Sequence, residues 1–460
     1  GGSLVYANTL YEPLDAFWDD PQWAGIADWR DELAPHFATA RRMLGAATVP
    51  FETPADRVMA QLAERLGVAD TYRPTDVAVY FGEPGVEVPD PYFGGAGPPR
   101  SGCIRCGGCM VGCRHGAKNT LDRNYLWLAE RGGAEILPER EAVDLVPLAD
   151  GGWEVVTRRP GRGAQPEERF RAEQVVLAAG VLGTLRLLFR ARERGRIPGI
   201  SQRLGEAVRT NSEAIVGATS RRGDVDYSTG VAIGSSIFPN DHTHIEPVRY
   251  PKGSNSMGLL ATLLVDGGGR LPRQLRFLAE IARHPLLFVR SLSVRRWSER
   301  SMILLVMQSR ANSLRVRWRR GRLTSEQGEG DPNPTYIPEA NEAARIVAEL
   351  IDGHAGSAVN EVLLDVPTTA HILGGCCVGE TPALGVVDPW LRVHGCPGLH
   401  VVDGAAVSAN LGVNPSLTIA AQAERALSFW PHRGEEDPRP RLGALYERVE
   451  RVAARDPAVV

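Results

Sequence analysis

Lysine is nearly missing from this chain: Lys118 and Lys252 are the only two, and all other basic side chains except histidine are arginine. The base composition of a GC-rich genome accounts for that skew better than function does. The net charge of -3 gives no reason to expect nucleic acid as a partner. No run of eighteen apolar residues exists, so no transmembrane helix is expected. No Gly-x-Gly-x-x-Gly occurs anywhere, so the glycine loop that cradles a dinucleotide pyrophosphate is not in the sequence. The chain does not open on methionine. A secretion signal would lie upstream of Gly1, which leaves cytoplasm and export both open, with the cytoplasm preferred. Seven cysteines, an odd count, fit neither a disulfide framework nor a firm compartment.

What is present is an ordinary globular composition. At 460 residues, 43% hydrophobic and 23% charged, the chain is long enough for two cores. It contains no internal repeat. Apolar spacing predicts a helix over Ala55–Leu66, then a Gly/Pro-rich loop from Phe81 to Gly102 and a helix over Leu121–Arg131. Alternating runs at Ala134–Leu137, Trp153–Thr157 and Phe170–Val176 predict a meander. Val175–Gly180 reads as a buried strand followed by a helix over Gly183–Arg192, a strand–glycine–helix unit of dinucleotide-domain type. Further strands are expected at Met302–Met307 and Ser313–Trp318, and a Pro/Arg/Glu-rich tail from Pro431.

The most informative stretch runs from His371 to Leu427. It carries His371-Ile-Leu-Gly-Gly-Cys376, then the strand-like Leu399-His-Val-Val-Asp-Gly404, then Gly412-Val-Asn-Pro-Ser-Leu-Thr-Ile419. Asn414 stands where an N-cap belongs and Pro415 at the first helical position, with the helix continuing through Ala426. The partial positive charge of such a helix start stabilises an anion, the ring of a reduced flavin included. This stretch resembles the C-terminal signature of the glucose–methanol–choline (GMC) flavin oxidoreductases, in their cholesterol-oxidase-like branch. Gly1–Asn8, Val176–Arg192 and Leu204–Asn211 resemble the family's flavin-domain pieces, in the family's order.

The resemblance implies an α/β fold in which a discontinuous FAD domain (1–8, 134–215 and 396–430) is interleaved with a substrate domain (9–133 and 216–395). An antiparallel sheet of the substrate domain roofs the flavin, and 431–460 forms a surface tail. Gly1–Asn8 resembles the inside of the family's flavin domain, so the first FAD-binding βαβ unit is expected to be missing. The implied cofactor is FAD. Contacts to it are assigned by resemblance to Gly2, Ser3, Asn8, Gly180, Asp403, Gly404, Asn414 and Pro415; turns alone are the simpler reading of the glycines.

Alcohol oxidation on a flavin needs hydride delivery from the carbinol carbon and removal of the hydroxyl proton. By resemblance His371 takes the proton, directly or through a water, and Asn414 orients the substrate oxygen. A lone His or Asn is more often a satisfied structural hydrogen bond; both embedded in matching motifs favour the functional reading. Glu246 lies where a cholesterol-oxidase glutamate moves a proton during steroid double-bond isomerisation, a task for a carboxyl in an apolar pocket. A surface carboxylate, or an ion pair with Arg249, is as ready a reading. His242 and His244 alternate on a possible strand, but two ligands without a third do not make a metal site.

Cys103, Cys106, Cys109 and Cys113 have the C-x2-C-x2-C-x3-C spacing of bacterial iron–sulfur proteins. Arg114 replaces the proline that follows there, and the run continues into Gly116-Ala-Lys-Asn-Thr120 as in related flavoenzymes, so no metal is expected. Leu271–Arg300 is apolar and basic: it can lie on an anionic membrane, or be a helical flap packed on the substrate domain. The leading expectation is an FAD-dependent oxidation of a secondary alcohol on a bulky apolar substrate, a 3β-hydroxysteroid such as cholesterol, with oxygen or another acceptor reoxidising the flavin. The alternatives are a non-catalytic remnant that binds lipid and a dehydrogenase relaying electrons through an iron–sulfur centre.

Overall fold

The computed structural model describes residues 1–163 and 165–454. Helix α1 (Trp29–Met43) is followed by α2 (Pro54–Leu66), whose start is fixed by a reciprocal cap. The Thr53 hydroxyl accepts the Asp56 amide, the Asp56 carboxylate accepts the Thr53 amide, and Pro54 occupies the first turn, where no N–H is needed. Gly67 ends α2 at φ +74, a left-handed stop. Strand β1 (Arg73–Pro74) follows.

The helix expected over Leu121–Arg131 is broken at Asn124, between a 3-10 turn (Leu121–Arg123) and an α-helix (Tyr125–Arg131). The meander is β2 (Glu141–Pro147), β3 (Trp153–Arg158) and β4 (Glu167–Ala172), all antiparallel. The first of its expected strands is thus displaced: Ala134–Leu137 is irregular and leaves Ile136 and Leu137 exposed. Leu145 on β2 instead enters the core, packed with Trp153 of β3. Strand β5 (Val175–Leu177) leads through Gly180, φ +72, into α3 (Val181–Glu193).

The second half begins with β6 (Ala214–Ser220), β7 (Ser235–Asn240), β8 (Thr243–Val248) and β9 (Ala261–Leu263). Helices α4 (Arg273–Arg283) and α5 (Pro285–Ser291) form a flap. Then come β10 (Ser301–Gln308), the hairpin β11 (Asn312–Arg319) and β12 (Arg322–Gly330), α6 (Pro338–Leu350) and β13 (Gly353–Ala358). Strand β14 (Leu399–Val401) pairs with β5 in parallel, Leu399 opposite Val175, and α7 (Ser416–Leu427) closes the regular structure.

Seven strands form one antiparallel sheet in the order β9-β13-β6-β10-β8-β7-β1. One face of it carries Val216, Ile245, Leu304 and Val306 and is covered by Met59, Leu62 and Val347 of α2 and α6. The intervening residues, among them His244, Glu246, Leu305 and Met307, point to the opposite face by the two-residue period of strands. A second core joins α1, α3, α7, β5 and β14 with residues 373–393. Each fully buried leucine in these cores contributes roughly 1.5–3 kcal/mol relative to exposure. On this packing we propose that 372–395, placed by sequence in the substrate domain, belongs with the dinucleotide-type half. The expected tail runs past the described residues; as far as 454 it holds no helix or strand, and Tyr446 packs against Trp390.

Candidate functional site

The free face of the large sheet meets the loop before α7 and the segment around residue 371. Glu246 is fully buried on β8 and accepts a hydrogen bond from the Asn414 side-chain amide at 3.2 Å. His371 Nδ1 is hydrogen-bonded to Glu213, which stands just before β6 and also accepts the backbone N–H of Ala370 at 2.5 Å. The Glu213 side chain is 0% exposed whereas His371 keeps 14%, so the imidazole, not the carboxylate, reaches solvent. His244, two residues from Glu246 on the same face of β8, lies 3.8 Å from it. Its ring is stacked on Phe238 at 4.4 Å, with Tyr11 edge-on at 4.8 Å.

Both alternative readings of Glu246 are overturned. It is not at the surface, and Arg249 turns the other way, to Asp56 at 3.3 Å and Thr53 at 2.8 Å. An offset of three residues on extended chain puts two side chains on opposite faces. His242 is not on the strand with His244 but in the exposed turn before it.

Burial sets the electrostatics. It pushes the Glu246 carboxyl up to about 8, against the pull of the Asn414 hydrogen bond and the His371 charge. It drives His244 down to about 3, helped by Arg73 and His371. Burial also pulls His371 down, but the charge and hydrogen bond of Glu213, and more distantly Glu246, carry it above its ordinary value. At neutral pH the site therefore holds a protonated carboxyl beside a neutral imidazole.

Asn414 is not the helix cap. Pro415 takes that place at φ -88, its carbonyl accepting the Ile419 amide, and no side chain caps α7. The Asn414 amide is turned instead toward Glu246, which leaves its Oδ1 buried without a partner. Asn8, fully buried at φ +60, has both side-chain amide atoms unpaired. Ser416 ties α7 to this stretch by donating to the Thr9 carbonyl at 3.0 Å. Gly180, Asp403 and Gly404 come together at the ends of β5 and β14: Asp403 accepts the Thr184 hydroxyl at 2.5 Å and the Ala405 amide at 2.9 Å. A Cβ on Gly404 would stand 3.3–3.4 Å from Leu373, Val181 and Ile419, so the glycine lets three segments close on one point. Gly2 and Ser3 lie apart on a 3-10 turn, with Ser3 Oγ accepting the Leu121 amide.

The sequence reading missed Glu213 and gave His244 no part. Glu213 lies 158 residues from His371, and only the strained approach to β6 marks it. Asn211 and Ser212 have φ +56 and +45, left-handed values that cost non-glycine residues on the order of 1–3 kcal/mol each. Asn211 clips the two halves of the site together: its Oδ1 accepts the Leu411 and Gly412 amides and its Nδ2 donates to the Val413 carbonyl at 2.8 Å.

The cysteine run packs against Val77, Val79 and Ala117, with Cys109 buried, Cys106 exposed and all seven thiols free. Lys118, 1% exposed, donates to the carbonyls of Leu4, Tyr6 and Cys109 and so fastens the first residues to the cysteine loop. Among the described residues no group of three or more His, Cys, Asp or Glu side chains is placed to hold a metal ion.

A family model described as GMC oxidoreductase matches residues 318–423. The cholesterol oxidase of Mycobacterium tuberculosis (strain ATCC 25618 / H37Rv) is 52% identical over the whole of this chain and 82% of its own length. That of Acinetobacter baumannii is 44% identical over 94% of this chain and 80% of its own. Among solved structures, pyridoxine 4-oxidase from Mesorbium loti superposes with a TM-score of 0.57 at 15% identity, covering 91% of this chain and 81% of that one. An FAD-dependent oxidoreductase from Chaetomium thermophilum gives 0.53 at 15% identity, covering 93% and 84%. At that identity the likeness is one of fold.

Proposed function

This chain belongs to the GMC oxidoreductase family, and from that premise we propose that it oxidises the secondary hydroxyl of a 3β-hydroxysteroid such as cholesterol and moves the ring double bond afterwards. As a member it is an FAD-dependent oxidoreductase of CH–OH groups, and the flavin, when bound, supplies the hydride acceptor. The residues present fit the ring end of that cofactor: Asn8 has an unpaired buried amide, Asn414 an unpaired Oδ1, and the start of α7 is tied beside Asn8 by the Ser416–Thr9 hydrogen bond. Asn8, Asn414 and Pro415 would hold it there, and Gly180, Asp403 and Gly404 at the ends of the parallel strands. Gly2 and Ser3 remain assigned by resemblance.

One observation carries the reading: His371, Asn414 and Glu246, far apart in sequence, lie near one another, Asn414 bonded to Glu246 and the charge of Glu246 acting on His371. His371 accepts the hydroxyl proton at Nε2, since Nδ1 is engaged by Glu213. Asn414 orients the substrate oxygen. Glu246 takes a proton from the carbon between the new carbonyl and the double bond and returns it at the far end of that bond, a migration with no net change in protons.

Oxygen, or another acceptor, takes the electrons. We further propose that the α4–α5 flap rests on an anionic membrane. Leu275, Leu278, Leu286 and Val289 are exposed beside Arg283, Arg290 and Arg295, while Phe277 and Ile281 pack inward. The apolar rim extends through Leu363 and Leu364 to the segment that ends at His371. The test is aerobic incubation of the flavin-loaded protein with cholesterol: the conjugated 3-ketone should form with one equivalent of peroxide if oxygen is the acceptor. Flavin reduction by small primary alcohols but not by sterols would defeat the substrate assignment.

A further inference from the structure

We propose that Glu213 is the positioning residue of the reaction: a buried carboxylate that fixes the tautomer and aim of the His371 ring, so that Nε2 alone meets the substrate hydroxyl. This rests on His371 being the base. Both carboxylate oxygens of Glu213 are committed to the same short segment. Oε1 takes His371 Nδ1 and Oε2 takes the Ala370 N–H, so ring and backbone are held by one group. A carboxylate on one imidazole nitrogen makes that nitrogen the N–H and leaves the other as the acceptor. Nε2 makes no hydrogen bond to any described residue, and His371 is the member of the pair that keeps some exposure.

The carboxylate is itself held rigidly. The left-handed Asn211 and Ser212 turn the chain into β6 at Glu213, and Asn211 grips Leu411, Gly412 and Val413, the residues before Asn414. One clip thus sets the spacing between the proton acceptor and the side chain that orients the substrate. The charged and titratable groups facing His371 are Glu213 at the head of β6 and Glu246 and His244 on β8. Of these only Glu213 is bonded to the ring, and with Glu246 it offsets the effect of burial. Removing it lowers the basicity of Nε2 as well as its alignment.

The experiment is the pH dependence of anaerobic flavin reduction in the FAD-loaded full chain, for Glu213→Gln, Glu213→Asp and His371→Ala. Glu213→Gln should slow reduction by about ten- to a hundredfold with KM for sterol little changed. The pH below which activity falls should move down by about one unit or more, because the ring loses the charge that favours its protonation. Glu213→Asp, which keeps the charge but is one methylene short, should recover part of the rate. If the Gln variant does not fold, the Asp variant is read instead: slowed reduction with the acid limb near its wild-type position, the charge kept and the alignment lost, supports the proposal, and a wild-type rate overturns it. An unmoved limb in Glu213→Gln, with His371→Ala inactive, would leave His371 as base and reduce Glu213 to a structural carboxylate. Near-normal reduction in His371→Ala would remove the base itself, and the proposal with it.

Discussion

At the scale of single residues, the site is governed by burial acting on a few titratable groups. His371→Ala should slow anaerobic flavin reduction by about a hundredfold or more, read by stopped-flow absorbance. Burial of Glu246 makes stability depend on pH. Its carboxyl is free at about 4.5 in the unfolded chain and bound to its proton up to about 8 in the folded one, so folding takes up a proton between those values. The native state is penalised increasingly as pH rises through that window, by a few kcal/mol at the top. Glu246→Gln should therefore gain stability over the wild type, little at pH 5 and most above pH 8, in urea titrations at the two pH values. The same variant should spare oxidation but block double-bond migration, and in the wild type the share of conjugated product should rise through about pH 8. His371 and Asn414 stand out in sequence because they sit inside recognisable motifs, whereas Glu246 has no such frame and reads equally as a surface carboxylate or a partner of Arg249. Glu213 does not stand out: its partner is fixed only when β6 and the 371 segment meet. His244 reads in sequence only as one of two histidines lacking a third metal ligand, and the rings of Phe238 and Tyr11 reach it only in the fold.

Elements were legible where local chemistry decides them. The Thr53–Asp56 cap and Gly67 stop bound α2 within one residue of its expected span, because capping groups and apolar stripe agree. Local signals failed where tertiary bonds compete. Asn414 has the sequence of an N-cap, yet its amide serves Glu246 and the helix starts uncapped. Asp56 is more than a cap, for it also receives Ser235 Oγ at 2.7 Å and the buried Arg249 guanidinium. Asp56→Ala should accordingly cost about 3–5 kcal/mol, far above the ~1 kcal/mol of an ordinary cap, since Arg249 would be left buried and unpaired. Denaturant unfolding of Asp56→Ala beside Thr53→Ala separates the two contributions.

For the molecule as a whole, the strand–glycine–helix unit was readable from hydrophobic runs, and the α/β architecture from the family resemblance. The order of the seven-stranded sheet was not, because β1 and β13 join it from 73–74 and 353–358 without any local mark of their partners. The long stretch 271–300 showed its composition but not its exposure, which depends on Phe277 and Ile281 finding Leu263 and Val362. Replacing Leu275 and Leu286 with Glu should abolish sedimentation with anionic vesicles while leaving turnover of detergent-dispersed sterol intact. Unchanged vesicle binding would place membrane contact elsewhere or nowhere.

The scarcity of lysine acquires a use from the fold. Lys118 is sealed under three carbonyls, while Lys252 stands exposed just ahead of the Asn255–Leu260 turn, whose Leu259 and Leu260 are also exposed. Of the two lysines in this sequence, an acylating dye thus reaches only Lys252, close to the turn that leads into β9. A fluorophore there would report contact with lipid by its emission colour, without cysteine engineering and with Lys118 closed to the dye.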